Sequence, residues 1–305
     1  MRPLFASRNR EAAALAATLA RVGQTSLPIL LEGETGVGKT FIAKAIHRQS
    51  RGGRPLAVVD CGAIPETLLA AELFGHRAGA FTDAGHAREG WLARAADGTV
   101  VLERVDALST AGQVALLRVL EDRTFFPVGT ATARRLRARV LATVAPGLDG
   151  RVRDGSFRAD LFHRLAGLHA RLPALRHRPE DIVPFARAAV RRIARRTGAE
   201  RVLAAEAETL IAAYPWPGNF RELETVLERG CLNAARERVA AHDLGLPAGS
   251  WPALAELAAE RAVPAHEVTR LYGLFVLASH GGNVSRAARS LGVSRRTLIR
   301  WRGTS

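Results

Sequence analysis

Apolar positions in the first half of the chain fall into short solid runs rather than alternating ones. Four such runs lie at 27–31, 55–59, 99–102 and 139–144. A run that is apolar at nearly every position predicts a strand covered on both faces, as in a parallel sheet. The stretches between the runs are long enough for crossover connections, and residues 10–21 and 40–48 carry helical spacing. From about residue 179 the spacing is helical only, with helices predicted at 180–196, 204–213 and 219–235, broken by Pro215, Pro217 and Gly218. Residues 245–264 contain three prolines and two glycines with little periodicity, which predicts a linker with a short helix near 253–262. The remainder predicts a small helical unit. The pattern divides the chain into an α/β subdomain over 1–175, a helical subdomain over 176–244, a linker over 245–264 and an all-α unit over 265–305.

Composition narrows the classes. With 305 residues, 48% hydrophobic and 24% charged, the chain can bury about two cores and is not a disordered tail. Its two cysteines, Cys61 and Cys231, form no CxxC pair, which speaks against zinc and for the reducing cytoplasm. No apolar run approaches the ~18 residues of a membrane span, and the Met-Arg-Pro start lacks a secretory segment. The formal charge of +15 fits either attraction to phosphate-rich partners or a solvated basic surface, since nearly all the cations are Arg. Its location says more than its size: after Glu267 there is no acidic residue, while Arg270, Arg286, Arg289, Arg295, Arg296, Arg300 and Arg302 all follow.

Gly33-Glu34-Thr35-Gly36-Val37-Gly38-Lys39-Thr40 follows a predicted strand and opens a predicted helix, the context a phosphate-binding loop requires. Glycines let successive N–H groups turn inward on a polyphosphate, and the helix N-terminus adds positive potential. Lys39 then reaches the terminal phosphates and Thr40 can ligate Mg²⁺. Lysine is otherwise present only at Lys44, so one of two lysines occupies the position that needs a compact ammonium.

Around that loop six segments occur in order: GETGVGKT (33–40), CGAIPETLLAAELFGHRAGAFTDA (61–84), REGWLARAADGT (88–99), LLRVLEDRTFFPVG (116–129), FRADLFHRL (157–165) and YPWPGNFRELETVLERG (214–230). Together they resemble the AAA+ domain of bacterial enhancer-binding proteins, the ATPases that activate sigma-54 RNA polymerase, over roughly residues 3–245. The resemblance implies a P-loop AAA+ parallel sheet with helices on both faces, a helical lid, ATP and Mg²⁺ as cofactors, and an ATP-dependent ring of subunits. It implies that Arg158 and Arg164 face the γ-phosphate held by a neighbouring subunit, and that Arg221 is the sensor arginine of the chain's own lid. Phe81 and Thr82 would be the pair that touches sigma-54.

Three departures bear on hydrolysis. Where the family's third strand ends in Asp-Glu, this chain reads Leu102-Glu103-Arg104. Glu103 can serve the metal, but a guanidinium offers only donors and cannot act as the base. Asp106 is a candidate substitute base, though three residues past Glu103 its side chain is expected to point elsewhere. The first sensor, usually Thr-Asn, reads Val144-Ala145, and Asp60 stands where the family has an asparagine that restrains the catalytic glutamate. Losing one general base costs about 10²–10⁴-fold, so slow or absent hydrolysis with ATP binding retained is expected. The contact loop is altered too: the family's GAFTGA reads Gly79-Ala80-Phe81-Thr82-Asp83-Ala84.

The segment from Asn283 to Arg300 reads as helix, turn, helix, with Asn283 and Ser294 as caps, Ala287 and Ala288 for close packing and Gly292 at the turn. It resembles the Fis-type helix-turn-helix. DNA contacts are expected from Asn283, Ser285, Arg286, Ser294, Arg295, Arg296, Thr297 and Arg300, with helix 267–279 as a dimer interface. Two readings stay open. In one, the chain binds ATP as an assembly or conformational switch and regulates transcription by occupying upstream promoter DNA. In the alternative it is an active AAA+ ATPase that remodels sigma-54 RNA polymerase. Little sequence precedes the α/β region, which predicts an activator without a sensing domain of its own.

Overall fold

The structure, a computed structural model, describes residues 5–80, 86–246, 259 and 262–303. The chain forms two compact units, one comprising Arg10–Pro173 and the other Ala174–Ser305 together with Ser7–Asn9.

In the first unit, strands β1 (Ile29–Glu32), β2 (Leu56–Asp60), β3 (Thr99–Glu103), β4 (Arg139–Val144) and β5 (Leu168–Arg171) form one sheet in the order β2-β3-β4-β1-β5. All neighbours are parallel. The solid apolar runs have the expected cause, since successive side chains point to opposite faces and both faces are covered. Leu30, Val100, Leu102, Val140 and Ala142 pack into one core with helices α3 (Glu66–Phe74), α4 (Thr110–Asp122), α5 (Leu148–Arg153) and α6 (Ala159–Leu165). Ile29, Leu31, Val101 and Leu141 pack into the other with α1 (Arg10–Val22) and α2 (Lys39–Arg51).

Strand β5 was not among the predicted runs. Its sequence, Leu-His-Ala-Arg, lies at the sheet edge with only Ala170 fully buried, so it lacks the continuous apolar signature of the inner strands. The run at 139–144 also conceals a charge: Arg139 is only 2% exposed, and its guanidinium donates to the carbonyls of Val22, Gly23 and Leu27. Burial pulls its pKa down to about 10. It ties the start of β4 to the turn after α1.

The second unit opens with α7 (Pro179–Thr197), α8 (Ala205–Ala213) and α9 (Asn219–Asn233) around a core centred on Trp216, which is fully buried and donates its indole N–H to the Ile211 carbonyl at 2.8 Å. The helices-only reading is corrected here in one detail: Val202–Leu203 pairs in parallel with Arg238–Val239. Three further helices follow, α10 (Ala265–Ser279), α11 (Val284–Leu291) and α12 (Arg295–Gly303). Helix α10 belongs to two cores. Leu274 and Phe275 are buried among the residues of α7, α8 and α9, while Leu277 packs with Ala287, Ala288 and Leu298. Gly273 leaves room for the Trp301 ring. Much of the apolar face of helix 267–279, expected to form a dimer interface, packs within the chain, and Tyr272 is its one large exposed apolar side chain. Most of the predicted linker, including nearly all of the helix expected near 253–262, lies outside the described residues.

Candidate nucleotide and DNA sites

Strand β1 is short and fully buried, and it ends where the phosphate loop begins. The loop can turn because Gly36 and Gly38 take φ of 78° and 100°, in the left-handed region that other residues avoid. Gly33 is needed for a different reason: a Cβ there would lie 2.9 Å from Val37 Cγ1 and 3.2 Å from the Leu172 carbonyl oxygen. The Lys39 ammonium donates to the carbonyls of Gly33 and Glu34, the latter at 3.0 Å, which lays the charge across the loop. The Thr40 hydroxyl donates to Glu103 Oε1 at the end of β3. The sequence assigned these two side chains to one Mg²⁺, and the fold brings them together. A hydroxyl beside a carboxylate oxygen is a donor set suited to a small hard cation, so the residues fit an ATP–Mg²⁺ group.

Sequence reasoning missed the support beneath the loop. Glu32, immediately before Gly33, is buried and accepts from the Gly147 N–H at 2.8 Å, His169 Nε2 at 2.7 Å and Arg171 Nε at 3.2 Å. Burial alone would push this carboxyl up, but those donors together hold it below its usual range. The network fastens the end of β1 to β5 and to the turn after β4.

The end of β3 carries a built ion pair. Register across β2 and β3 sets Asp60 opposite Glu103. Arg104, one residue on, has φ of 52° and donates its backbone N–H to Thr143 Oγ1 at 3.2 Å. Its guanidinium grips Asp60 as a fork, Nε to Oδ1 at 2.7 Å and Nη2 to Oδ2 at 2.6 Å. The fork holds the Asp60 carboxyl below the ordinary range and raises the Arg104 pKa. Gly62 makes the space, since a Cβ there would come 2.8 Å from the Arg104 Cζ.

Asp106 is buried, with Oδ2 3.3 Å from Arg151 Nη1 and Oδ1 lacking a hydrogen-bond partner among the described residues. Burial, aided by the Asp60 charge, pushes the Cys61 thiol up to about 12, which keeps it neutral. At the end of β4, Val144 is buried and apolar and Ala145 exposed. The one polar side chain nearby on that strand is Thr143, already engaged by Arg104.

The remaining assigned residues are spread over both units. Arg158 precedes α6 and Arg164 lies in its last turn, both half-exposed, Arg158 forking onto Asp160 and Arg164 lying 3.8 Å from Glu121. Phe81 and Thr82 fall outside the described residues. Arg221 is exposed on α9 of the second unit. At the end of that unit Asn283 Oδ1 accepts from the Arg286 N–H and Ser294 Oγ from the Thr297 N–H, each at 3.0 Å. Gly292 makes the turn with φ of 66°. Ser285, Arg286, Arg295, Arg296 and Arg300 are exposed, and Leu298 faces the core.

Residues 5–171 match the sigma-54 interaction domain, residues 176–248 the AAA+ ATPase lid domain, and residues 276–300 the Fis family of bacterial regulatory proteins. Among curated proteins, the chain is 38% identical over 289 residues to the transcriptional regulatory protein ZraR of Klebsiella oxytoca, covering 94% of this chain and 65% of that protein. It is 41% identical over 235 residues to the sigma54-dependent transcriptional activator SfnR of Pseudomonas putida, covering 76% of this chain and 64% of the other. The chain thus spans somewhat less than two thirds of the length of these relatives. Among solved structures, NtrX from Brucella abortus in complex with ADP superimposes with a TM-score of 0.73 at 31% identity, covering 97% of this chain and 69% of that one. The same protein in complex with ATP gives 0.70, also at 31% identity. Hsp104, at 17% identity over 73% of this chain and a TM-score of 0.55, shares the fold alone. With matches running in order through its sheet, its lid and its terminal helices, the chain belongs to the family of sigma-54 interaction domain proteins that carry an AAA+ lid and a Fis-type helix-turn-helix.

Proposed function

We propose that this chain is an ATP-binding, sequence-specific DNA-binding transcription regulator of the sigma-54 activator type, which binds ATP with Mg²⁺ and turns it over slowly or not at all. The observation that carries the reading is the Arg104–Asp60 fork at the end of β3. A guanidinium fixed there has no lone pair with which to take a proton from water. The substitute considered from the sequence, Asp106, is buried against Arg151. Bound ATP would supply a transferable phosphoryl group. The chain's own part is to wrap it with the loop from Gly33 to Thr40, to hold Mg²⁺ through Thr40 and Glu103, and to touch nucleotide with Arg221. In an assembled ring, Arg158 and Arg164 would face the neighbour's nucleotide, since planar, always-charged forks suit phosphate oxygens. The exposed arginines of α11 and α12 meet promoter DNA, and Phe81 and Thr82 meet sigma-54 RNA polymerase. Oligomers of this chain, a dimer on DNA or an ATP-dependent ring, follow from the same reading.

One observation favours the second reading, an active ATPase that remodels polymerase: Glu103 keeps its reach to Thr40, so the metal-holding half of the site is intact. Phosphate release by purified protein, measured beside equilibrium binding of a labelled ATP analogue, separates the two. Binding with turnover reduced about 10²–10⁴-fold relative to an active relative is expected. Turnover at the relative's rate establishes the second reading, and failure to bind the analogue removes both.

A further inference from the structure

Arg104 is more than an absent base. Three residues from three strands or turns are fitted to it: Asp60 receives the fork, Thr143 receives the backbone N–H, and Gly62 clears the space beside the guanidinium. The backbone is held in the left-handed region at φ 52° and ψ 47°, a conformation that a side-chain-bearing residue keeps only when its surroundings impose it. A surface arginine of no consequence needs none of this.

The place matters as much as the fit. Glu103, the preceding residue, reaches the Thr40 hydroxyl of the phosphate loop, so the end of β3 adjoins that loop. Ligands in open parallel sheets lie beyond the carboxyl ends of the strands, where β1, β3 and β4 all terminate. The Arg104 side chain is 53% exposed and that of Asp60 39%. A half-exposed carboxylate is a weak hold on a guanidinium. A terminal phosphoryl group carries more charge than one carboxylate, presents three oxygens, and matches the same planar fork.

We propose that Arg104 is a γ-phosphate ligand held in reserve by Asp60: when ATP occupies the loop the fork transfers from the carboxylate to the terminal phosphate, and ADP leaves it on Asp60. No bond is made or broken, and the residue that prevents hydrolysis becomes the one that detects an unhydrolysed nucleotide. This rests on the reading that ATP binds at Gly33–Thr40, and deepens it by assigning the discrimination between ATP and ADP to a named side chain.

The two partners predict opposite signs. Titrating the full chain, in Mg²⁺, with ADP and with the β,γ-imido analogue of ATP gives the ratio of the two dissociation constants. Arg104→Gln should weaken the triphosphate by about tenfold to a hundredfold, the usual worth of a hydrogen bond to a charged group, with ADP as the control. Arg104→Lys should recover part of the loss, because a point charge remains without the fork. Asp60→Asn should do the reverse and tighten the triphosphate over ADP, because the guanidinium no longer has to leave a carboxylate. An Arg104→Gln protein that binds ADP normally and keeps the wild-type ratio overturns the proposal, as does an Asp60→Asn protein whose ratio is unchanged or lowered. If Arg104→Gln loses both nucleotides through misfolding, Asp60→Asn alone decides by the same criterion. Wild-type protein that binds neither nucleotide removes the underlying reading and the proposal with it, whereas wild-type binding with an insensitive ratio removes only the proposal.

Discussion

Replacing Glu32 by Gln should loosen the phosphate loop from below without touching it. The carboxylate side chain is 8% exposed and receives three donors, so the cost can be worked donor by donor. The amide oxygen of a glutamine can still accept from Gly147. Arg171 is 61% exposed and keeps Asp149, so its loss counts at the value of a surface pair, about 0–1 kcal/mol. His169 is only 18% exposed, and a charge-assisted bond there is worth about 1.5–3 kcal/mol. The sum is about 1.5–4 kcal/mol, or about tenfold to a thousandfold in a local opening equilibrium. Native-state hydrogen exchange of the amides in β1 and at Gly147 reads that number directly, and nucleotide affinity should fall with it. The sign with pH is fixed by the depressed carboxyl. Its contribution is full above the ordinary value of 4.5 and fades as pH falls through the lower native value. The gap between variant and wild type should therefore stay constant from neutrality to about pH 5 and close in stronger acid. Exchange accelerated less than about threefold, or a gap that persists in acid, would show that the carboxylate does not anchor the strand.

Three further outcomes are expected. Gly38→Ala meets no atom within 4 Å but must sit at φ 100°, so strain alone should cost about 1–2 kcal/mol and weaken nucleotide binding by calorimetry while the fold survives. Leu298→Ala empties a fully buried position in the small terminal core and should cost about 2–5 kcal/mol, abolishing DNA binding in a gel-shift assay with ATP-analogue binding unaffected. Arg296→Ala should weaken DNA binding and, if the side chain neutralises a phosphate, reduce the slope of log affinity against log salt by about 1; unchanged affinity and slope would exclude Arg296 as a contact.

The parts of the molecule that were legible in the sequence are the ones whose physics is local. The phosphate loop is a contiguous string of glycines and one lysine between a strand and a helix. The caps at Asn283 and Ser294 act within three residues. Doubly covered strands announce themselves as solid apolar runs. What escaped was set by pairing across the fold. Glu32 meets His169 from 137 positions away, and nothing in either residue's neighbourhood signals it. Asp60 and Arg104 were each visible as departures from a family pattern, but their fork needed the register of β2 on β3, which puts them side by side from 44 positions apart. Within the run read as a buried strand at 139–144, the burial of Arg139 itself was not legible, because a sequence does not record which carbonyls will surround a guanidinium. Edge strand β5 was invisible because an edge needs no continuous apolar pattern.

Helix α10 has its own consequence. With Leu274 and Phe275 set in the lid and Leu277 set among the terminal helices, no hinge separates the two within that helix. A rotation of α10 would therefore carry both packed groups with it, as an oar blade follows its shaft.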